Sequence, residues 1–422
     1  MTPLRLMVLG GGSSQESLLR RARKLGWYVL LVDHNPRAPG RRHADEFVEV
    51  STFDAPGVLQ AARRLKPDSL VTVGSDQPVY TCAVVSEELS IPFFLSAKSA
   101  EKTTNKRAMK LGLREAGVPT VPFEFLSLDT APTLPLPLVV KPLDSQGQRG
   151  VTLVREEQLF DPAVEEALSF SRESTVLVER YYPSTEVTLS GWVRRGHMEV
   201  WSLTDRVTVS PEMSLGVCAA HRFPSIHTEV WGTTVEQYSR RIVATFGIKE
   251  GPIYFQFLIG EEGVKANEVA CRLGGAYEDE SLPLVVGVDP VGEQLALCER
   301  LLGREASGGS LKEALLDTPA RFFSVPLLFC REGTVASYEG DEAIREMPGI
   351  WNCRFLLPVG TRILPMRNST QRVGYAVVAG GSKEEVNSCI TRLFENLAVR
   401  NEVGENLLLD FRQLCSFPET GA

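Results

Sequence analysis

Between Gly251 and Gly275 the chain reads GPIYFQFLIGEEGVKANEVACRLGG, and this segment restricts the possible fold more than any other. Two apolar runs flank a short polar turn, so they can bury their faces by pairing as an antiparallel hairpin. Each run carries one polar residue among apolar neighbours, Gln256 and Glu268, and Arg272 follows just before Gly274. In a period-two strand Tyr254 and Leu258 share a face with Gln256, and Ala266 and Ala270 share one with Glu268. A carboxylate in such surroundings is costly unless it is paired or bound to a cation. A three-residue loop, Glu261-Glu262-Gly263 with Gly263 left-handed, would pair Gly260 with Val264 and set Gln256 opposite Glu268 on one face. A two-residue loop would part them. The three-residue loop is the expectation, and with it an oxygen-rich pair suited to a hard cation such as Mg²⁺. Taken alone, the pair fits a buried polar couple satisfied by backbone groups equally well.

The chain has 422 residues, enough for two or three domains. Its net charge of −8 excludes a general nucleic-acid or anionic-membrane surface but allows a local basic pocket. No apolar run is long enough to span a bilayer. The opening MTPLRLMVLGGG reads as a strand entering a glycine loop, not as a secretory signal. Eight scattered cysteines form no CxxC or Cys/His cluster, so zinc is not expected and a reduced, cytoplasmic setting is.

Residues 1–100 alternate strand and helix, which predicts a parallel α/β sheet covered by helices. Gly10 and Gly12 half-match a dinucleotide-binding loop, but Gln15 stands at the third glycine, and Asp33 lies where a ribose-binding acid would. The loop could instead hold another anion at the helix N-terminus, or be a ligand-free tight turn. Thr103-Thr104-Asn105 can cap a basic amphipathic helix over 106–116. A strand then ends at Lys141-Pro142, a loop runs over 143–150, and Val151–Val154 returns. After a helix over 289–302 comes a Gly/Ser linker, Ser307–Ser310, and the last third reads as a separate α+β lobe.

Lysine is uncommon at the end of a buried strand such as VVKP unless its ammonium meets an anion. The loop after Lys141 offers Ser145, Gln146, Gly147, Gln148, Arg149 and Gly150, whose small residues let backbone N–H groups approach phosphate oxygens. It is no Walker A loop, since GxxxxGK[ST] before a helix is absent. A hairpin flap closing over a nucleotide is one reading, a plain surface loop the other. Glu179 ends another apolar strand and could accept the adenine amino group, while Glu186 could bind ribose hydroxyls. Each alone would also serve as a surface charge.

In this order, Lys106, Lys141-Pro142, the 145–150 loop, Glu179, Glu186, Gln256, Glu268 and Arg272 resemble the ATP-grasp superfamily, most strongly over residues 100–300. QRVGYAVVAGGSKEEV is similar to the end of L-amino-acid ligases and related carbamoyl-phosphate-synthase-like proteins. The resemblance implies a pre-ATP-grasp α/β domain at 1–100, an ATP-grasp domain at 101–303 with a flap lobe at about 120–190, and a C-terminal α+β lobe at 304–422. It implies ATP and Mg²⁺, with Mn²⁺ as a substitute. Lys106 and Lys141 would bind phosphates under the flap residues Ser145, Gln146, Gly147 and Gly150. Glu179 and the backbone of Arg180 and Tyr181 would read adenine, and Glu186 the ribose. Gln256 and Glu268 would hold the metal, and Arg272 would stabilise an acyl phosphate. Substrate contacts would come from Ser75, Asp76, Arg206, His221, Arg222, Arg272 and Gly274. The family often writes E-x-N-x-R here, whereas this chain has Ala270 at the asparagine position, and Asn267 points to the other face in the expected register. The implied activity is an ATP-dependent carboxylate–amine ligase acting on amino acids or small carboxylic acids, with a homodimer allowed. A bicarbonate-activating enzyme, a non-catalytic nucleotide-binding protein and a nicotinamide-dependent oxidoreductase are the alternatives.

Overall fold

In the computed structural model of the chain, residues 3–306 and 320–418 are described. The expected linker Ser307–Ser310 lies outside them. Strand Arg5–Leu9 pairs in parallel with Tyr28–Asp33 on one side and Ser69–Val71 on the other, and Glu46–Glu49 adds the outer edge. Successive side chains go to opposite faces. Leu4, Leu6, Val8, Val29 and Leu31 join one core with helix Glu16–Lys24, while Met7, Leu9, Leu30 and Val32 join another with helices Ala55–Leu65 and Gln77–Leu89. Burial on both faces is why these strands read as continuous apolar runs.

A second sheet is antiparallel, in the order Phe123–Leu126, Val176–Arg180, Leu138–Pro142, Thr152–Val154. Leu138, Val140, Val176 and Val178 pack beneath helix Phe160–Ser169. The alternate residues, Val139, Lys141, Leu177 and Glu179, line a cleft on the other face.

The third sheet has eight strands. Its order is Gly263–Ala270, Glu250–Gly260, Thr185–Arg194, His197–Thr208, Cys218–Phe223, Phe322–Leu328, Gly374–Gly380, Ile350–Phe355. Besides two short two-stranded sheets of its own, the last third, expected as a separate α+β lobe, adds three strands to this sheet. Phe322–Leu328 takes the free edge of Cys218–Phe223, pairing Ala220 with Pro326 and Phe223 with Phe323, so one sheet runs across both regions. Sequence periodicity marks strands but not which distant edge they will cover.

The hairpin also departs from expectation. Gly260 pairs with Gly263, so the loop has two residues, Glu261 and Glu262. Near the turn the register is the one that would separate Gln256 from Glu268. The register then shifts: Phe257 pairs with Ala266, but Gln256 pairs with Glu268. Asn267 is the extra residue of a β-bulge, and it brings the two polar residues opposite each other after all. The Tyr182 hydroxyl donates to the Gly263 carbonyl at 2.8 Å and ties the turn to the segment after Val176–Arg180. A Cβ on Gly260 would run into the Pro183 carbonyl and the Tyr182 ring. Gly260→Ala is thus expected to destabilise the protein by about 1–3 kcal/mol through overpacking, read as a lower thermal midpoint. An unchanged midpoint would contradict this close approach.

Candidate active site

A cleft of about 140 Å³ separates the antiparallel flap sheet from the hairpin end of the eight-stranded sheet. Helix Lys106–Glu115 closes one end. Asn105 caps it, accepting from the backbone N–H groups of Arg107 and Ala108 at 2.9 and 3.2 Å. Lys106 and Arg107 open the helix, and no acid stands in its first turn. A helix N-terminus already carries partial positive charge, so this arrangement favours an anion. The Lys106 ammonium donates to the Ser145 carbonyl at 2.6 Å, and burial draws its pKa down against the opposing pull of Glu268.

One turn along, Lys110 was missed from sequence. Its ammonium lies 2.5 Å from one Glu179 oxygen, and Lys141 lies 2.5 Å from the other. Both Lys110 and Glu179 are only 2% exposed. Burial would raise the Glu179 pKa, but Lys110 and then Lys141 outweigh it and hold the carboxyl down to about 2. The available signal was the spacing of Lys106 and Lys110, which puts both on one helix face. Glu179 lines the cleft as expected, with its carboxylate already paired to two lysines. The N–H groups of Arg180 and Tyr181 are likewise spent, on the Pro122 and Pro137 carbonyls at 3.0 and 2.9 Å. The Arg180 guanidinium pairs with Glu262 at 2.6 Å.

On the opposite wall, Glu186 accepts from Arg206 at 2.6 Å and from the Gln256 amide at 2.5 Å. Arg206 also donates to the Gly216 carbonyl at 2.9 Å. Arg206 is therefore engaged in orienting Glu186, where the sequence reading gave it a substrate. The Gln256 amide nitrogen is used, which leaves its oxygen available. Among the described residues the Glu268 carboxylate has no hydrogen bond or ion pair, although it shares the cleft with Gln256 and Lys106. The Ser145 hydroxyl is buried in the same cleft, also without a partner among the described residues. Gly147, Gln148 and Gly150 adopt positive φ, turning the flap back toward its return strand. The flap is held at both sides: the Gln146 side-chain oxygen accepts from the Asp76 N–H at 2.9 Å, and Gln148 accepts from the Ser369 hydroxyl at 2.7 Å.

Past the cleft, Arg272 donates to Asp76 at 2.7 Å and lies 4.6 Å from the centre of the Tyr254 ring. Ser75 accepts from the Gln15 amide at 3.4 Å, and the Gly274 N–H donates to Glu278 at 2.6 Å. Strand alternation splits His221 from Arg222. Paired opposite Arg206, His221 is buried; burial first, then Arg206 and Arg372, lowers its pKa to about 3 and keeps it neutral. Arg222 turns the other way, to Asp205 at 3.2 Å and the Ser416 carbonyl at 2.5 Å. It braces the C-terminal segment and does not reach the site. At the glycine loop, Asp33 accepts from Gly11 and Asn35 N–H groups at 2.7 and 2.8 Å, and the Gln15 side chain lies against Gly10. The ribose role considered for Asp33 gives way to shaping this turn.

A further polar cluster had no single-sequence signal, because its members come from four distant segments. Ser13 meets Tyr277 at 3.4 Å, Tyr277 stacks on Tyr375, and Glu280 accepts from Tyr375 and Asn352, both at 2.7 Å. Tyr277 has φ of +59°, a strained conformation for a non-glycine residue. Arg372 lies 5.4 Å from the centre of the Tyr277 ring.

Removing Lys110 leaves Lys141 to balance Glu179 but strips one buried carboxylate oxygen of its partner. Lys110→Ala is expected to cost about 1–3 kcal/mol, seen as a fall in thermal midpoint. The Glu179 contribution should be complete above its ordinary pKa of 4.5 and fade as pH falls toward about 2. A variant as stable as wild type at pH 7 would refute the trio's structural role.

Residues 325–402 match the family described as L-amino acid ligase C-terminal domain 2. The L-amino acid ligase of Bacillus licheniformis superposes with a TM-score of 0.78 at 18% identity, over 94% of this chain and 99% of that one. The biotin carboxylase domain of Hydrogenobacter thermophilus 2-oxoglutarate carboxylase, solved with MgADP and bicarbonate, gives 0.68 at 17% identity, over 93% and 88%. The formate-dependent phosphoribosylglycinamide formyltransferase of Rhodococcus jostii is 27% identical over 197 residues, 44% of this chain and 49% of that protein. The chain spans less than two thirds of the length of the curated relatives it matches first. The chain therefore has the fold of the ATP-grasp ligases, and its residues 325–402 are similar to the second C-terminal domain of the L-amino acid ligases.

Proposed function

We propose that this chain is an ATP-dependent carboxylate–amine ligase acting on amino acids or other small carboxylates and amines. The observation that carries the reading is the Glu268 carboxylate, opposite Gln256, which with the buried Ser145 hydroxyl of the same cleft has no partner among the described residues. A carboxylate and a hydroxyl left without partners at such a place fit a cation and a phosphate chain. Among the described residues no group of three His, Cys, Asp or Glu could hold a metal by itself. That suits Mg²⁺, which is held by few carboxylates and completed by phosphate oxygens and water. The relatives' ligase activities and the MgADP in one structural neighbour support the same assignment.

In this scheme Lys106, Lys141 and the Ser145 hydroxyl bind phosphate oxygens under the flap. Glu186, held by Arg206 through one oxygen, offers the other to a ribose hydroxyl. The adenine is left to backbone carbonyls and side chains near Arg180–Tyr182, since the Glu179 carboxylate is engaged. Gln256 and Glu268 would hold Mg²⁺, which neutralises charge on the β- and γ-phosphates when bound. A substrate carboxylate oxygen attacks the γ-phosphorus as the bond to ADP breaks. The amine nitrogen then attacks the acyl carbon, loses a proton, and phosphate leaves with the C–O electron pair. Arg272, oriented by Asp76, stabilises charge on the acyl phosphate. The chain's work is positioning and charge stabilisation, with no covalent enzyme intermediate.

The substrate pocket is assigned to the side beyond Arg272, where Tyr277, Glu280, Tyr375 and Arg372 bring acidic, basic and aromatic groups together. Neutral His221, opposite Arg206, can hydrogen-bond an activated carboxylate without adding charge.

Glu268→Ala should reduce Mg²⁺-dependent ADP release by at least about 10²-fold with the fold retained, measured in a coupled ADP assay beside circular dichroism. Turnover at the wild-type rate would sink the metal assignment. In a phosphate-release screen over pairs of amino acids and small acids, release is expected only when carboxylate and amine are both present. Release driven by bicarbonate alone would replace the ligase reading with a carboxylase-like one.

A further inference from the structure

The bulge residue has a consequence for the cation. In a regular hairpin Asn267 and Glu268 would point to opposite faces. The register shift breaks that alternation: Phe257 faces Ala266, Gln256 faces Glu268, and Asn267 is left unpaired between them. As a result Asn267 and Glu268 both line the cleft, beside Gln256. Among the described residues the Asn267 amide has no hydrogen-bond partner. Two residues beyond Glu268, Ala270 is buried opposite Tyr254 and has no donor atom to offer.

We propose that Asn267 supplies a third protein oxygen to the divalent cation, taking over the role that a side chain at position 270 cannot perform. The proposal rests on the nucleotide reading above. The donor set is then one carboxylate, Glu268, and two neutral amide oxygens, Gln256 and Asn267. Hard oxygen donors of this kind suit Mg²⁺ or Mn²⁺. A single negative charge is too little to hold a divalent cation firmly without the phosphates. Cation binding is therefore coupled to nucleotide, and the free protein holds the ion weakly.

The test is Mn²⁺ binding to the full chain, followed by the electron paramagnetic resonance of free Mn²⁺, with and without a non-hydrolysable ATP analogue. Wild type should bind Mn²⁺ tightly only with the analogue present. Asn267→Ala should weaken that binding roughly ten-fold, while analogue binding in EDTA and the thermal midpoint stay at wild-type values. Asn267→Asp should bind Mn²⁺ at least as tightly as wild type, which also covers the case of an unstable alanine variant. Unchanged Mn²⁺ binding in Asn267→Ala overturns the proposal, as does an equal loss of analogue binding in EDTA, which would assign Asn267 to the nucleotide. If the wild-type chain itself binds no Mn²⁺ with the analogue, the nucleotide reading fails instead.

Discussion

The buried trio of Lys110, Glu179 and Lys141 is the interaction on which the cleft depends. It joins three elements: the helix that closes one end of the cleft, and two neighbouring strands of the flap sheet. Two ammonium groups against one carboxylate leave a positive excess in a low-dielectric wall. Such a site is expensive to bury unless an anion faces it. The same feature that fixes the lobes therefore sets the sign of what the cleft can hold. Lys106, at the positive end of the helix, adds to that field.

Opposite this wall the sheet presents the complementary groups. Glu186 is oriented by Arg206 and Gln256, and Glu268 has no partner among the described residues. A positive wall for phosphates and an oxygen-rich wall for a cation thus face each other. The flap between them is anchored to the first sheet's loop through Asp76 and to the last third through Ser369. Asp76 also orients Arg272, so one residue touches both the flap and the side chain where chemistry is proposed.

Much of the architecture was legible in the chain. The alternation of strands with helices announced the parallel sheet, and Asn105 announced the start of helix Lys106–Glu115. Gln256 and Glu268 stood out because a strand interior does not tolerate such residues without a reason. Other expected site residues have protein partners that the sequence did not show. Arg222 and His221 are adjacent in sequence but fall on opposite faces, so Arg222 turns to Asp205 and the C-terminal segment while His221 lies opposite Arg206. Glu179 and Arg206 were expected to meet ligands, yet tertiary neighbours took up their charges first.

The sequence by itself determined which residues are costly to bury and which segments must be strands or helices, since both follow from local chemistry and periodicity. Tertiary structure alone decided which charges neutralise one another and which distant edges join. Those outcomes depend on groups many residues apart, as with Lys110 and Glu179 or the edge of Cys218–Phe223 taken by Phe322–Leu328. The hairpin holds both lessons. Its polar pair was visible in the chain, but a two-residue turn and a bulge at Asn267, not a three-residue loop, set the pair face to face. A one-residue shift in register reverses every side chain, and local sequence does not encode that shift.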